Sequence, residues 1–256
     1  MTIKEIVIRE FSEPQVQERY EKLTREGLWN SEKIMYQKYF KLGSTILDMG
    51  CGSGRTSFSL NKLGYKVVGR DLTPAMITTA KKLAKEFKAV IDFKVGDATA
   101  LEFKDQSFDN GIFSFCGWDQ IPRYANRQKA IDEMYRVLKP GGHYIFTTHI
   151  REVGTFGKWI PFWVKQAIKM YLLKPLGFNV QEEEWGDRFF KREGAEGNRV
   201  TCTKYQYTHI PSRKEVEKQI TDAGFEIAYT ELKGVIGGME DLNSTNPRFY
   251  VCKKPN

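Results

Sequence analysis

The stretch ILDMGCGSGRTSF, residues 46–58, places Gly50, Gly52 and Gly54 two apart behind an apolar run that carries Asp48. Glycines at that spacing let the backbone turn tightly and come close to a ligand with no Cβ in the way. A helix starting near Arg55 adds free N–H groups at the same place. Such turns hold a dinucleotide, a nucleoside triphosphate, or the amino-acid end of S-adenosylmethionine. A dinucleotide fingerprint reads G-x-G-x-x-G, and here the third glycine falls one residue early. A Walker loop ends in G-K-[ST], whereas Gly54 is followed by Arg55. Both of these fail on spacing.

Other chemistry-bearing residues follow short apolar runs further on. Asp71 ends KVVGRD, 17 residues after Gly54, where a carboxylate can accept hydrogen bonds from both hydroxyls of a ribose. Asp97 ends a third run, in VGDATAL, where a carboxylate can accept from an exocyclic adenine amine. SFCGWDQIP follows a fourth run and brings Trp118, Asp119 and Gln120; the carboxylate can orient a substrate amine and the indole can wall a pocket. His149 ends a fifth run and, titrating near neutral pH, is the leading general-base candidate. Each also has a plain structural reading, as a strand-end cap, a loop into the next helix, or a histidine hydrogen-bonded in place. His209, just before Pro211, suits a loop or cap and would also reach the substrate side.

The elements that must position these residues alternate. β-type runs at 45–50, 66–71, 91–97, 108–115 and 143–150 are separated by helix-length amphipathic segments from about Arg55, over 74–87 and over 127–138. Strand and helix in alternation give a parallel sheet covered on both faces. Pro74 is a helix start, and LKPGGHY (138–144) a helix stop. Ser212 and Glu215 have capping-box spacing ahead of a last helix that stops at Gly224. EIAYTELKG and RFYVCKKP read as two final strands.

On these residues the chain resembles the class I S-adenosylmethionine-dependent methyltransferases. ILDMGCGSG resembles the family's first motif, Asp71 its ribose acid, GDA its adenine-site motif and VLKPGGHYIF its later signature, over roughly residues 40–150. The resemblance implies an α/β, doubly wound, seven-stranded mostly parallel sheet closed by an antiparallel hairpin, with a helical insertion after strand five. It implies S-adenosyl-L-methionine as cofactor and S-adenosyl-L-homocysteine as product. By the same resemblance the cofactor set is Asp48, Gly50, Cys51, Gly52 and Gly54 at the methionine part, Asp71 and Leu72 near the ribose, Asp97 and Ala98 at the adenine, and Phe115. Residues 1–40 then form an N-terminal helical cap with Tyr20 and Trp29 as pocket aromatics, 41–150 the cofactor core, 151–200 a substrate lid and 201–256 the end of the sheet.

Composition bounds the rest. The chain has 256 residues, 40 basic and 32 acidic, a net charge of +8. The excess is spread, with 7 basic and 7 acidic residues in 1–40, 16 and 11 in 41–150, and 17 and 14 in 151–256. That distribution weakens a dedicated nucleic-acid face, although RNA stays an alternative acceptor. The four cysteines have neither zinc-site nor disulfide spacing. With no signal-peptide core and no long apolar run, a cytoplasmic protein is expected. Residues 157–178 are aromatic and apolar with lysines interspersed, which suits a pocket lid, a helix resting on a membrane surface, or a self-association face. Methyl transfer to a small-molecule acceptor is the leading reading. A non-catalytic cofactor-binding protein is the alternative from another class.

Overall fold

The computed structural model describes residues 1–151, 163–190, 206–238, 241 and 246–256. Three helices open the chain: α1 (Ile3–Ser12), α2 (Pro14–Glu26) and α3 (Asn30–Tyr39). Alternation then runs β1 (Thr45–Met49), α4 (Arg55–Lys62), β2 (Lys66–Asp71), α5 (Pro74–Phe87), β3 (Asp92–Val95), β4 (Phe108–Phe113), a 3-10 turn (Gly117–Gln120), α6 (Tyr124–Val137) and β5 (Leu138–Thr148). A helix, α7, covers 163–173 and is of π type over Ile168–Leu173. It is followed by β6 (Asp187–Phe190), β7 (Gln206–His209), α8 (Arg213–Asp222), β8 (Glu226–Leu232), α9 (Lys233–Gly237) and β9 (Arg248–Lys253).

Seven strands form one sheet in the order β3-β2-β1-β4-β5-β9-β8. β1 to β5 pair in parallel, and β9 runs antiparallel to both β5 and β8. Side chains alternate across a strand, so each strand of a doubly covered sheet must be apolar on both faces. β5 meets that demand with Tyr144 and Phe146 toward α6 and α8, and Ile145 toward α3 and α4. β9 does the same with Tyr250 and Cys252 on one side, Phe249 and Val251 on the other. Complete burial of each such side chain contributes about 1.5–3 kcal/mol, which fixes register because a one-residue slip would exchange the two faces.

The sheet order reverses between β1 and β4, and both strands end toward the same edge. Ligands bind at such a switch point in open α/β sheets, so the fold directs attention to the turns after β1, β2, β4 and β5.

Several boundaries differ from the sequence pattern. β5 begins at Leu138 instead of His143, because Leu138 pairs with Phe108 ahead of a register shift that absorbs Pro140, Gly141 and Gly142. A Cβ on Gly142 would lie 2.5 Å from the Asp109 carbonyl oxygen, which is why glycine stands there. β4 stops at Phe113, as Phe115 and Cys116 turn left-handed. The inserted region is not helical alone: β6 pairs antiparallel with β7, and this small sheet packs Phe189 and Tyr207 against Ile3, Ile6 and Val7 of α1. The two ends of the excursion are tied together, since the Arg151 amide donates to the Pro211 carbonyl at 2.8 Å and its guanidinium to the Ile210 carbonyl at 2.8 Å.

Candidate active site

The glycine turn follows β1 directly. Gly50, Gly52 and Gly54 take φ of +60°, +53° and +94°, a left-handed region that side chains other than glycine enter at a cost of about 1–2 kcal/mol. Gly50 is held further by contact, since a Cβ there would sit 2.2 Å from Phe113 Cε2. At Gly52 a Cβ would be in ordinary contact with the Tyr20 ring, at 3.5 Å, and with Met76 Sδ, at 4.0 Å. Gly50→Ala is therefore expected to lose about 1–3 kcal/mol by overpacking on top of the backbone strain. Gly52→Ala should lose only the strain, and urea unfolding of the two variants side by side measures the difference.

Two carboxylates shape the turn from beneath. Asp71, at the end of β2, accepts the Gly52 amide on one oxygen (2.9 Å) and the Thr73 amide on the other (2.8 Å). Burial raises its pKa while those two amides and the Thr73 side chain oppose the shift. The Thr73 side chain adds a third hydrogen bond to this carboxylate, which still has acceptor capacity for a ribose hydroxyl. Asp48 is fully buried; one oxygen accepts from Ser57 Oγ at 2.6 Å and the other has no hydrogen-bond partner among the described residues. Burial pushes this carboxyl up to about 7. An orphan oxygen under three left-handed glycines suits the polar amino-acid end of S-adenosylmethionine.

Asp97 and Ala98 follow β3. The Asp97 carboxylate is engaged already, accepting from Thr99 through its amide (2.9 Å) and hydroxyl (2.8 Å) and from Lys4 Nζ of α1 at 2.6 Å. Burial acts to raise its pKa and the Lys4 pair prevails, holding the carboxyl below its ordinary value. Leu72, Ala98 and Phe115 are half-buried and Cys51 is buried. The expected N-terminal aromatics are present, as Tyr20 and Trp29 pack on Phe115 with ring centroids 5.8 and 4.9 Å away.

Arg55, read from sequence only as a mismatch to the Walker pattern, closes this end. It is buried beside Glu32, itself completely buried, and the two make a forked pair at 2.6 and 2.5 Å. The guanidinium also donates to the Gly27 carbonyl at 3.0 Å and lies over the rings of Trp29 (4.7 Å) and Phe115 (5.3 Å). Lys233 covers Trp29 from another side, its ammonium 3.6 Å from the ring centroid, and burial lowers its pKa.

After β4 and β5 the structure corrects several roles. Trp118 is fully buried against Phe146 with Arg127 over its ring, a core side chain with no pocket face. Asp119 is also fully buried and cannot orient an amine; it holds His149 instead. Its oxygens accept from Thr148 Oγ1 (2.5 Å), the His149 amide (3.0 Å) and His149 Nδ1 (2.7 Å). A carboxylate only accepts, so Nδ1 carries a proton. His209 lies in β7, 1% exposed, between Asp187 (2.8 Å) and Glu215 (3.1 Å), away from the cleft. Glu215 thereby turns away from the second half of the capping box, although its amide still donates to Ser212 Oγ at 3.2 Å. Gln120 is half-buried, its Oε1 without a partner among the described residues.

His149 differs from a free base. Burial works against its charged form, but the Cys116 sulfur and the Asp119 carboxylate outweigh that and raise it to about 11. The folded state thus binds more protons than the unfolded chain between 6.5 and about 11. The contribution of this imidazolium is complete below the unfolded value and fades as pH rises toward the folded one. His149→Gln is expected to destabilise most on the acidic side of 6.5 and progressively less up to about 11, read by denaturant unfolding across that range. A constant difference would remove the raised value.

Sequence reading did not single out Cys116. Its Sγ, an imidazole nitrogen of His149 and an Asp119 oxygen all lie within 4.8 Å of one another. Burial raises the thiol and the His149 charge opposes that shift. No pattern in the chain signals two successive left-handed residues, so this proximity was not legible beforehand.

A doubly wound sheet with its last strand reversed, a three-glycine turn after β1 and an acid after β2 define a methyltransferase-type nucleotide-binding protein. The methyltransferase domain family matches residues 47–146. The chain is 32% identical over 225 residues to an uncharacterized protein of Methanocaldococcus jannaschii, covering 84% of this chain and 78% of that one. It is 28% identical over 204 residues to a demethylmenaquinone methyltransferase of Paenarthrobacter aurescens, covering 77% of this chain and 68% of that enzyme. Among solved structures, a SAM-dependent methyltransferase from Methanosarcina mazei superposes with a TM-score of 0.66 at 26% identity, over 86% of this chain and 97% of that one. The chain belongs to the S-adenosylmethionine-dependent methyltransferases.

Proposed function

We propose that the protein transfers the methyl group of S-adenosylmethionine in line to a small-molecule acceptor lying between Phe115 and His149. The observation that carries this reading is the cover on the glycine turn. α2 lies on it through Tyr20, whose carbonyl accepts from Ser53 Oγ at 3.0 Å, and Lys4 of α1 reaches the Asp97 carboxylate at the other end. A site roofed by its own N-terminal helices suits a compact acceptor, and the demethylmenaquinone methyltransferase among the relatives supports a small molecule. Gly50, Gly52 and Gly54 with Asp48 would receive the methionine part, and Asp71 the ribose. Asp97 would receive the adenine amine beside Ala98 once its Lys4 contact opens. The cofactor supplies an electrophilic methyl on a sulfonium; the protein supplies orientation and a site from which water is excluded.

The test is the fate of label from methyl-labelled S-adenosylmethionine incubated with whole-cell extract. Label in the low-molecular-weight fraction is expected. Label confined to RNA would replace this reading with the alternative one. No helix among the described residues is long and apolar enough to cross a membrane. Peripheral contact through 157–178 is a separate proposal, supported by the exposed Tyr171 and Leu176 and tested by vesicle co-sedimentation of a variant with both changed to Glu. Residues 157–162 of that segment fall outside the described residues.

A further inference from the structure

Lys233 is the first residue of α9, straight after β8, and it is only 2% exposed. Its ammonium lies 3.6 Å from the centroid of the Trp29 ring and has no hydrogen bond or ion pair among the described residues. A ring face meets one side of an ammonium, which carries three N–H donors, so donors remain that need an oxygen. The carboxylates whose charge acts on it are spent elsewhere. Asp241 accepts the Asn30 and Ser31 amides at 3.1 and 2.8 Å and so caps α3. Glu32 holds Arg55 in a fork and accepts the Trp29 amide at 3.0 Å. Burial lowers the Lys233 pKa, and these two charges only partly oppose the shift. The second enclosed lysine shows what a structural role requires: Lys254 Nζ donates to the Tyr135 and Leu138 carbonyls at 2.8 and 2.7 Å. Lys233 is nevertheless held firmly in place. Its amide donates to the Pro247 carbonyl at 2.8 Å, and Asn30 Nδ2 donates to the Gly237 carbonyl at 3.1 Å, which docks α9 on the start of α3.

The place of this cation in the fold says which ligand it meets. Trp29 packs on Phe115 with ring centroids 4.9 Å apart, and both rings are half-buried at the cleft. The residues assigned to the cofactor follow β1, β2 and β3, whereas Lys233 follows β8, at the opposite end of the order β3-β2-β1-β4-β5-β9-β8. It therefore reaches the Trp29 and Phe115 rings from the side away from the cofactor. We infer that Lys233 is a binding residue for an oxyanion of the methyl acceptor, a carboxylate or a phosphate, received by its ammonium beside the Trp29 and Phe115 rings. The inference rests on the methyl-transfer reading and names the acceptor class, a compact molecule that carries such a group. The oxyanion supplies the lone pairs that the ammonium lacks, and the enclosed surroundings strengthen the pair. Held at a point remote from the reacting atom, the acceptor presents that atom to the methyl in a fixed direction. Such an anchor acts alike on the ground and transition states, so its loss raises KM and leaves kcat nearly unchanged. The cofactor also bears a carboxylate, which S-adenosylhomocysteine retains, and binding of that product distinguishes the two sources.

The test compares the full wild-type chain with Lys233→Met, which keeps an apolar stem on Trp29 and removes the charge, a change that a buried site tolerates. The low-molecular-weight fraction of cell extract is titrated against both proteins with methyl-labelled S-adenosylmethionine. The amount giving half-maximal labelling is expected to rise about 10- to 100-fold in the variant, with the saturating rate within about twofold. Calorimetry should show the same affinity of both proteins for S-adenosylhomocysteine. Phosphatase treatment of the extract divides the acceptor class: labelling that disappears assigns a phosphate, and labelling that persists assigns a carboxylate. An unaltered half-saturation in Lys233→Met overturns the inference. A variant that binds S-adenosylhomocysteine about tenfold more weakly also overturns it, giving the ammonium to the cofactor's carboxylate. Inorganic phosphate and acetate, titrated at constant ionic strength onto the S-adenosylhomocysteine complex, probe the same site without turnover. At least one of them is expected to bind wild type and not Lys233→Met, and an equal response or none in the two proteins overturns the inference. Selective anion binding without any low-molecular-weight label would remove the small-molecule acceptor and leave Lys233 as an anion site.

Discussion

Glu32→Ala is expected to lower the unfolding free energy by about 3–5 kcal/mol, the cost of leaving a buried guanidinium without its counter-charge. Glu32 is completely enclosed and Arg55 is 7% exposed, so water cannot take over the lost bonds. Burial alone would lower the Arg55 pKa, and Glu32 reverses that and raises it. The pair also has a geometric task. Arg55 is the first residue of α4, at the foot of the glycine turn, and Glu32 lies in the first turn of α3. The fork therefore joins the cofactor loop to the N-terminal helices that roof it. Replacing both residues together with Met and Leu should recover most of the loss, since an apolar pair of similar volume carries no desolvation cost. Urea unfolding of the single and double variants measures both effects, and a single-variant loss below about 1 kcal/mol would assign the pair to a water-accessible site.

Asp71→Ala is expected to weaken S-adenosylhomocysteine binding by about 10- to 100-fold, from lost charge-assisted hydrogen bonding to a ribose hydroxyl and a loosened turn. The second contribution follows from the Gly52 amide, which donates to Asp71 at 2.9 Å. Asp71→Asn separates the two in part, because its single acceptor oxygen keeps one of the Gly52 and Thr73 amides, its NH2 faces the other, and the charge is lost. It should fall between wild type and Asp71→Ala. Calorimetry decides this, and undiminished binding in Asp71→Ala would withdraw the ribose assignment.

Most of the framework was legible from periodicity and punctuation. α5 starts at Pro74 and ends at Phe87 as its apolar spacing predicts, and β2 spans the expected KVVGRD. The glycine turn was legible for a stronger reason: its spacing is dictated by backbone conformation, and conformation of that kind leaves a mark on residue type. The acceptor end left no such mark. Trp118 and Asp119 looked like pocket residues because they follow β4, yet the 3-10 turn that contains them rotates both inward to complete burial. Phe115 and Cys116 take a conformation that glycine usually marks, so residue type concealed the turn that ends β4. The Glu182-Glu183-Glu184 run following the lysine-bearing segment proved to be an anchor. Glu183 pairs with Arg123, and Glu184 pairs with Arg127 and caps the amide of Tyr124 at the start of α6. These contacts join residues 57–60 positions apart, which local pattern cannot convey.

The clamp between Arg151 and the Ile210–Pro211 carbonyls bears on how such an enzyme diversifies. It pins the departure and return of the excursion after β5 at one spot on the core, so the sheet registers the spacing of those two points and not the length of chain between them. Lengthening a loop whose ends are already fixed costs only about 0.6 kcal/mol per doubling. The excursion is in that sense an exchangeable cassette: a different one grafted between the same two anchor points would inherit the glycine turn and the Asp119–His149 pair unchanged.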